Sequence, residues 1–236
     1  MTEHLPITLA GAELWLLGDK AIHWPAQQAL LIADAHFGKA AAYRKLGQPV
    51  PHGTTETNLA RLDALVARYP SRRIVFLGDF LDAPESHAPA TLAALVEWRQ
   101  AHAALQMTLI RGNHDRRAGD PPAELNIEVV AEPLPLGPFA LQHEPHPHPS
   151  RHVLAGHLHP VHRLRGRGRL SLRLPCFQIG ERVSVLPAFG TFTGGMDVAA
   201  TPGTRLYLVG DGGVWALPGE GSAGGDAGDG DAIVVE

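Results

Sequence analysis

Cysteine is nearly absent from this sequence: Cys176 stands alone among 236 residues. A lone thiol cannot close an internal disulfide, so packing must hold the fold, and a reducing compartment, the cytoplasm, is the natural expectation. Long apolar runs are missing as well. No stretch approaches the roughly 18 consecutive apolar residues that suggest a membrane span, so no membrane partner is expected. The N-terminus carries Glu3 and lacks a basic start followed by an apolar stretch, which argues against a secretion signal. Aromatic residues make up only 6%, and no stacking platform for single-stranded nucleic acid is evident. Nor is there an excess of positive charge, since the formal net charge is -4. That figure is weighted by the C-terminus, where Glu220, Asp226, Asp229, Asp231 and Glu236 occur with no Lys or Arg. Without those five acids the chain carries 20 basic and 19 acidic side chains. Local patches therefore matter more than the total.

What is present is enough apolar material, 44%, for one sizeable core. The first half alternates strand and helix signals. Ala29–Ala33, Arg73–Leu77 and Met107–Ile110 read as short buried strands. Leu59, Leu62, Leu65, Val66 and Tyr69 recur at helical spacing until Pro70 stops the helix, and a second helix covers roughly His87 to Ala104. Residues 126–130, 139–143, 152–155, 170–174, 182–186 and 204–209 read as strands separated by Pro or Gly, with no convincing long helix between them. The expected fold class is α/β, with two packed sheets and helices mainly from the N-terminal half. Residues 1–217 form the expected domain. Residues 218–236, dominated by Gly, Asp, Ala and Ser, form an acidic tail expected to be disordered.

Five polar segments carry the chemistry: Asp34-Ala-His36, Gly78-Asp79-x-x-Asp82, Gly112-Asn113-His114-Asp115, His143, and Gly156-His157-x-His159. Most follow a predicted strand, where ligands of open α/β sheets bind. Carboxylate oxygens, imidazole nitrogens and an amide oxygen suit Mn, Fe or Zn rather than a thiophilic metal. Asp34 and His36 can turn toward one metal, and Asp79, following a glycine, can approach two cations at once. Asp82 either orients a ligand from behind or caps the next segment. Asn113 offers its amide oxygen to a metal. His114 is placed as proton donor or transition-state stabiliser, with Asp115 expected to orient it and raise its pKa. Along an extended chain, His157 and His159 would lie on one side and each reach a different metal. Together the segments describe a two-metal phosphoester hydrolase.

In order and residue type these segments resemble the calcineurin-like metallophosphoesterase superfamily. Longer stretches narrow the likeness to the ligase-associated DNA-damage-response endonuclease (PdeM) branch. They are Ile32–Lys39, Pro49–Glu56, Arg111–Pro121, Ala155–Pro160, Leu174–Phe177 and Leu186–Gly195. The resemblance implies a four-layer α/β/β/α sandwich. It assigns Asp34, His36 and His159 to one divalent metal, Asn113, His143 and His157 to the other, Asp79 to both, and catalysis to His114. It also implies DNA as substrate, and association with an ATP-dependent DNA ligase and a repair helicase or exonuclease. The chemistry expected is in-line attack by a metal-bridging hydroxide, with Mn as the first candidate metal and Fe or Zn as alternatives.

Independent support for DNA lies in arginines. Arg116 and Arg117 flank the metal motif, and Arg163, Arg165 and Arg167 begin a basic stripe that could contact phosphates. The same stripe could be a solvated hairpin. A small phosphoester, such as a cyclic nucleotide or nucleotide-sugar, is the alternative substrate. A non-catalytic metal-binding subunit of a repair complex is the alternative class.

Overall fold

The computed structural model describes residues 4–50, 53–166 and 171–218. Arg167 and the expected tail beyond Pro218 lie outside them.

Among the described residues, the first sheet has seven strands in chain order: β1 (His4–Leu9), β2 (Ala12–Leu17), β3 (Ile22–Trp24), β4 (Ala29–Ile32), β5 (Arg73–Phe76), β6 (Gln106–Ile110) and β7 (Glu128–Val130). From β1 to β4 neighbours run antiparallel, and from β4 to β7 they run parallel. Four α-helices among the described residues lie between the parallel strands: α1 (Lys39–Lys45), α2 (Thr54–Arg68), α3 (Pro89–Ala101) and α4 (Asn113–Ala118). Leu59, Leu62 and Leu65 of α2 pack with Leu95 and Trp98 of α3 onto Leu30, Ile32, Ile74 and Phe76 of the sheet. Because helices cover one face and the second sheet covers the other, β4 is buried at all four residues. This explains its uninterrupted apolar run.

The second sheet holds β8 (Leu134–Leu136), β9 (Phe139–Leu141), β10 (His152–Ala155), β11 (Pro160–Arg165), β12 (Ser171–Ile179), β13 (Val183–Val185), β14 (Met196–Asp197), β15 (Arg205–Gly210) and β16 (Gly213–Ala216). Its order is β14-β11-β12-β13-β10-β9-β8, with β15 and β16 joining through β12. Leu14, Leu16, Leu31, Val75 and Ile110 of the first sheet meet Phe139, Leu141, Leu154, Phe177 and Tyr207 of the second in one apolar core. The α/β sandwich read from the sequence is the fold the chain adopts. On the outer face of the second sheet, Cys176, Leu206 and Leu208 form a smaller cluster. Burial pushes the Cys176 thiol up to about 12, so it is a core residue and not a nucleophile.

Three further features had no expectation attached to them. Before β4 the chain forms a hairpin meander, turned at Ala10 (φ 48°) and Gly11 (φ 79°), a left-handed pair suited to a tight hairpin. The segment after His36 contains α1. Asn113 to Ala118, overlapping the third metal motif, is helical.

Candidate metal centre

The expected ligands converge between the C-terminal ends of the parallel strands and the loops of the second sheet. Asp34, Asp79 and His143 are at most 2% exposed, and His36 is 3% exposed. Unpaired carboxylates at such burial are strongly disfavoured, so the site needs positive charge.

The partners behind His143, His159 and His36 assign their tautomers. His143 Nδ1 donates to the Leu77 carbonyl at 3.0 Å, leaving the lone pair on Nε2. That nitrogen lies 2.8 Å from Asn113 Oδ1 and 3.1 Å from His157 Nδ1. His157 Nδ1 is itself 3.0 Å from Asn113 Oδ1. On the other side, His159 Nδ1 donates to the Gly194 carbonyl at 3.1 Å, and His36 Nδ1 faces Asp82 Oδ1 at 3.0 Å. The two free Nε2 atoms then confront each other at 3.3 Å, with Asp34 Oδ1 3.4 Å from His159 Nε2. Each group thus contains an acceptor facing an acceptor, His143 Nε2 with Asn113 Oδ1 and His36 Nε2 with His159 Nε2, an arrangement that a shared cation relieves. Asp79 lies between them: Oδ1 is 3.4 Å from His143 Nε2, and Oδ2 is 3.9 Å from His36 Nε2. The donor set fits two divalent cations, and the ligand atoms of Asp34, His36 and His159, and of Asp79, His143 and His157, form two compact groups.

The backbone that aims these groups is unusual. Asp34, His36, Asp79, His157 and His159 all have positive φ, between 46° and 71°. Such left-handed conformations are uncommon outside glycine and cluster at functional sites. They also correct one expectation. His157 and His159 separate to the two groups through a left-handed turn, not through strand alternation. Glycine is required at Gly112, where a Cβ would overlap Asp79 Oδ1, and at Gly78, where it would overlap the His143 ring.

His114 stands at the mouth, with about a third of its side chain exposed. Its Nδ1 donates to the Asp82 carbonyl at 2.6 Å, and its Nε2 lies 4.0 Å from Asp79 Oδ2. The expected pairing of Asp115 with His114 is not what the structure contains. Asp115 points away, accepting the N–H groups of Leu81 (3.0 Å) and Gly112 (2.9 Å). It is the third residue of α4, so its carboxylate reaches back to close the helix start. Burial raises the Asp115 pKa, although these two N–H groups work against the shift.

The orienting role falls to Asp82, which holds His36 through its carboxylate and His114 through its carbonyl. Burial pushes the Asp82 carboxyl up, but His36 and Lys39 together hold it below the usual carboxylate range. Burial lowers the His36 pKa against the pull of Asp82, favouring the neutral ring that coordination requires. Burial also works to lower His159, but Asp34 and the Gly194 carbonyl outweigh it and raise the value.

Two participants were not anticipated. Lys39 Nζ binds Asp82 Oδ1 at 3.1 Å; its spacing of three residues from His36 was the available signal. Glu132 accepts the N–H of His143 at 2.7 Å and of Glu144 at 3.1 Å, fixing the His143 loop, and nothing local marked it. The arginines are partly neutralised. Arg111 pairs with Asp120, Arg116 with Glu144 at 3.2 Å, and Arg163 and Arg173 both with Asp197. Arg117 and Arg165 are exposed and have no carboxylate partner among the described residues.

Comparison with known proteins places this geometry in context. A nuclease, MPE, from Pseudomonas putida is 56% identical over 91% of this chain and 100% of its own, with a TM-score of 0.81. Yfce, a phosphoesterase from E. coli, is 16% identical over 78% of this chain and 88% of its own, with a TM-score of 0.36. No protein-family model and no curated protein matches the chain.

Proposed function

The chain belongs to the calcineurin-like metallophosphoesterase family and is a metal-dependent phosphoesterase, and from that premise we propose that it cuts phosphodiester bonds within DNA. The observation that carries the reading is the pair of converging donor groups with Asp79 between them. The 56% identity to a nuclease directs it toward nucleic acid, and exposed Arg117 and Arg165 supply cations for backbone phosphates. When bound, two divalent cations supply water activation and neutralise charge on the phosphate. Asp34, His36 and His159 would hold one, Asn113, His143 and His157 the other, and Asp79 would serve both. Mn is the metal proposed, Fe and Zn being compatible with the same donors.

His114 acts on the leaving oxygen. With Nδ1 committed to the Asp82 carbonyl, its Nε2 faces the open side. In the protonated ring, Nε2 hands its proton to the departing strand oxygen as the P–O bond breaks. Asp82 and Lys39 hold the rings from behind. The proposal extends to a cytoplasmic protein acting beside an ATP-dependent DNA ligase and a repair helicase or exonuclease, a setting supported only by the branch resemblance. No helix among the described residues is long and apolar enough to cross a membrane.

Assays with Mn on bis-p-nitrophenyl phosphate and on nicked, single-stranded and duplex DNA test the proposal. Turnover of the small ester without DNA cleavage, across metals and salt, would sink the DNA assignment. Asp79→Asn and His114→Ala are each expected to lower turnover by about a hundredfold or more, and full activity in either variant contradicts the role of that residue.

A further inference from the structure

The loop from Gly190 to Met196 is tied at both ends to metal-binding segments. Gly190 N donates to the Asp34 carbonyl at 3.0 Å, and Met196 N donates to the His159 carbonyl at 3.1 Å. Within the loop, the Gly194 carbonyl takes the His159 Nδ1 proton, and Thr193 Oγ1 donates to the Gly190 carbonyl at 3.2 Å. Phe192 sits at its centre with φ 66°. Left-handed backbone at a bulky residue is disfavoured, and burial does not compensate for it, because Phe192 is 50% exposed. Its ring meets the edge of Tyr43, at 5.9 Å between centroids and 87° between planes. Tyr43 lies on α1, one turn after Lys39, whose Nζ is 5.8 Å from the Tyr43 ring. The chain thus holds a half-exposed aromatic ring on a loop tied to the Asp34 and His159 segments, with Tyr43 at its side and Lys39 near the Tyr43 ring.

A flat apolar surface next to a phosphoester centre matches what one nucleotide presents, a planar base a few bonds from its phosphate. We propose that Phe192, braced by Tyr43, forms a base-binding subsite on which the nucleobase beside the scissile phosphate stacks. The inference rests on the DNA reading and deepens it. Every base has a π-face, so the subsite would position the strand without reading its sequence. Phe192 is a substrate-contacting residue, and Tyr43 a positioning residue acting through it.

The test compares two single strands of equal length, one bearing bases and one built of abasic tetrahydrofuran nucleotides, cut by the Mn-loaded enzyme. Phe192→Ala is expected to raise KM for the base-bearing strand by about tenfold or more and to leave kcat and cleavage of the abasic strand near wild type. Phe192→Trp is expected to restore the wild-type KM, and Tyr43→Ala to give a smaller rise. A 2-aminopurine beside the cleavage site should lose fluorescence on binding wild type and not Phe192→Ala. Equal KM for wild type and Phe192→Ala on the base-bearing strand, or an equal loss on both strands, overturns the subsite and leaves the DNA reading standing. Wild type that cuts neither strand overturns the subsite, and it overturns the DNA reading as well when nicked and duplex DNA are also left uncut.

Discussion

Asp82 shows how much one side chain decides in this site. Its carboxylate reaches His36 and Lys39, and its carbonyl reaches His114, so a single residue sets the tautomers of a metal ligand and of the proposed acid. Its pKa is held below the ordinary value of 3.8, so its charged form favours the folded state. That contribution is complete above the unfolded-state value and disappears as pH falls through the lower folded-state value. Asp82→Asn in metal-free protein is therefore expected to lower the urea midpoint at neutral pH. The gap to wild type should close in the acid range below 3.8. Urea titrations in a chelator at several pH values check this, and a gap that persists unchanged in strong acid would contradict the assignment of Asp82 as a charged partner.

At the scale of elements, ligand segments follow strands, but turns determine where each ligand points. Gly112, immediately before α4, lets Asp79 approach the helix start, where Asp79 Oδ1 accepts the His114 N–H at 2.9 Å. A methyl group at position 112 would occupy the space of that same oxygen. Gly112→Ala is expected to keep the circular dichroism of the fold while losing bound metal and activity together. Metal content by elemental analysis checks it, and a fully loaded Gly112→Ala protein would show that the close approach is dispensable. The turns also mark where the sequence ceased to be legible. Apolar runs such as Ala29–Ala33 and Arg73–Leu77 announce strands, and Leu59, Leu62 and Leu65 announce a helix, because burial imposes a period on them. The metal motifs announce donor types for the same reason of chemistry. What they do not announce is direction: Asp115 has the composition of a partner for His114, yet a helix start draws it to the Gly112 and Leu81 N–H groups. Glu132 and Phe192 acquire their roles only when distant segments meet, and α1 lacks the apolar stripe that would have shown it.

For the molecule as a whole, the metal centre lies where two sheets come together. Asp34, His36, Asp79 and Asn113 extend from the first sheet, whereas His143, His157 and His159 extend from the second. Each proposed cation therefore draws ligands from both sheets and ties them across the mouth of the sandwich. A ligand that binds only the folded state stabilises it by RT ln(1 + [L]/Kd), about 2.7 kcal/mol at a hundredfold excess over Kd. Mn is expected to raise the melting temperature saturably, and a chelator to reverse the rise. Because ligand imidazoles must be neutral to coordinate, protons compete with the metal, and the rise should shrink as pH falls from about 7 to about 5. Asp79→Asn should reduce the rise at every pH, since it weakens a ligand that both cations share. Differential scanning fluorimetry with and without Mn measures each of these. A melting temperature indifferent to metal at neutral pH would mean that the two sheets close without it and that the converging donors are not a cation site.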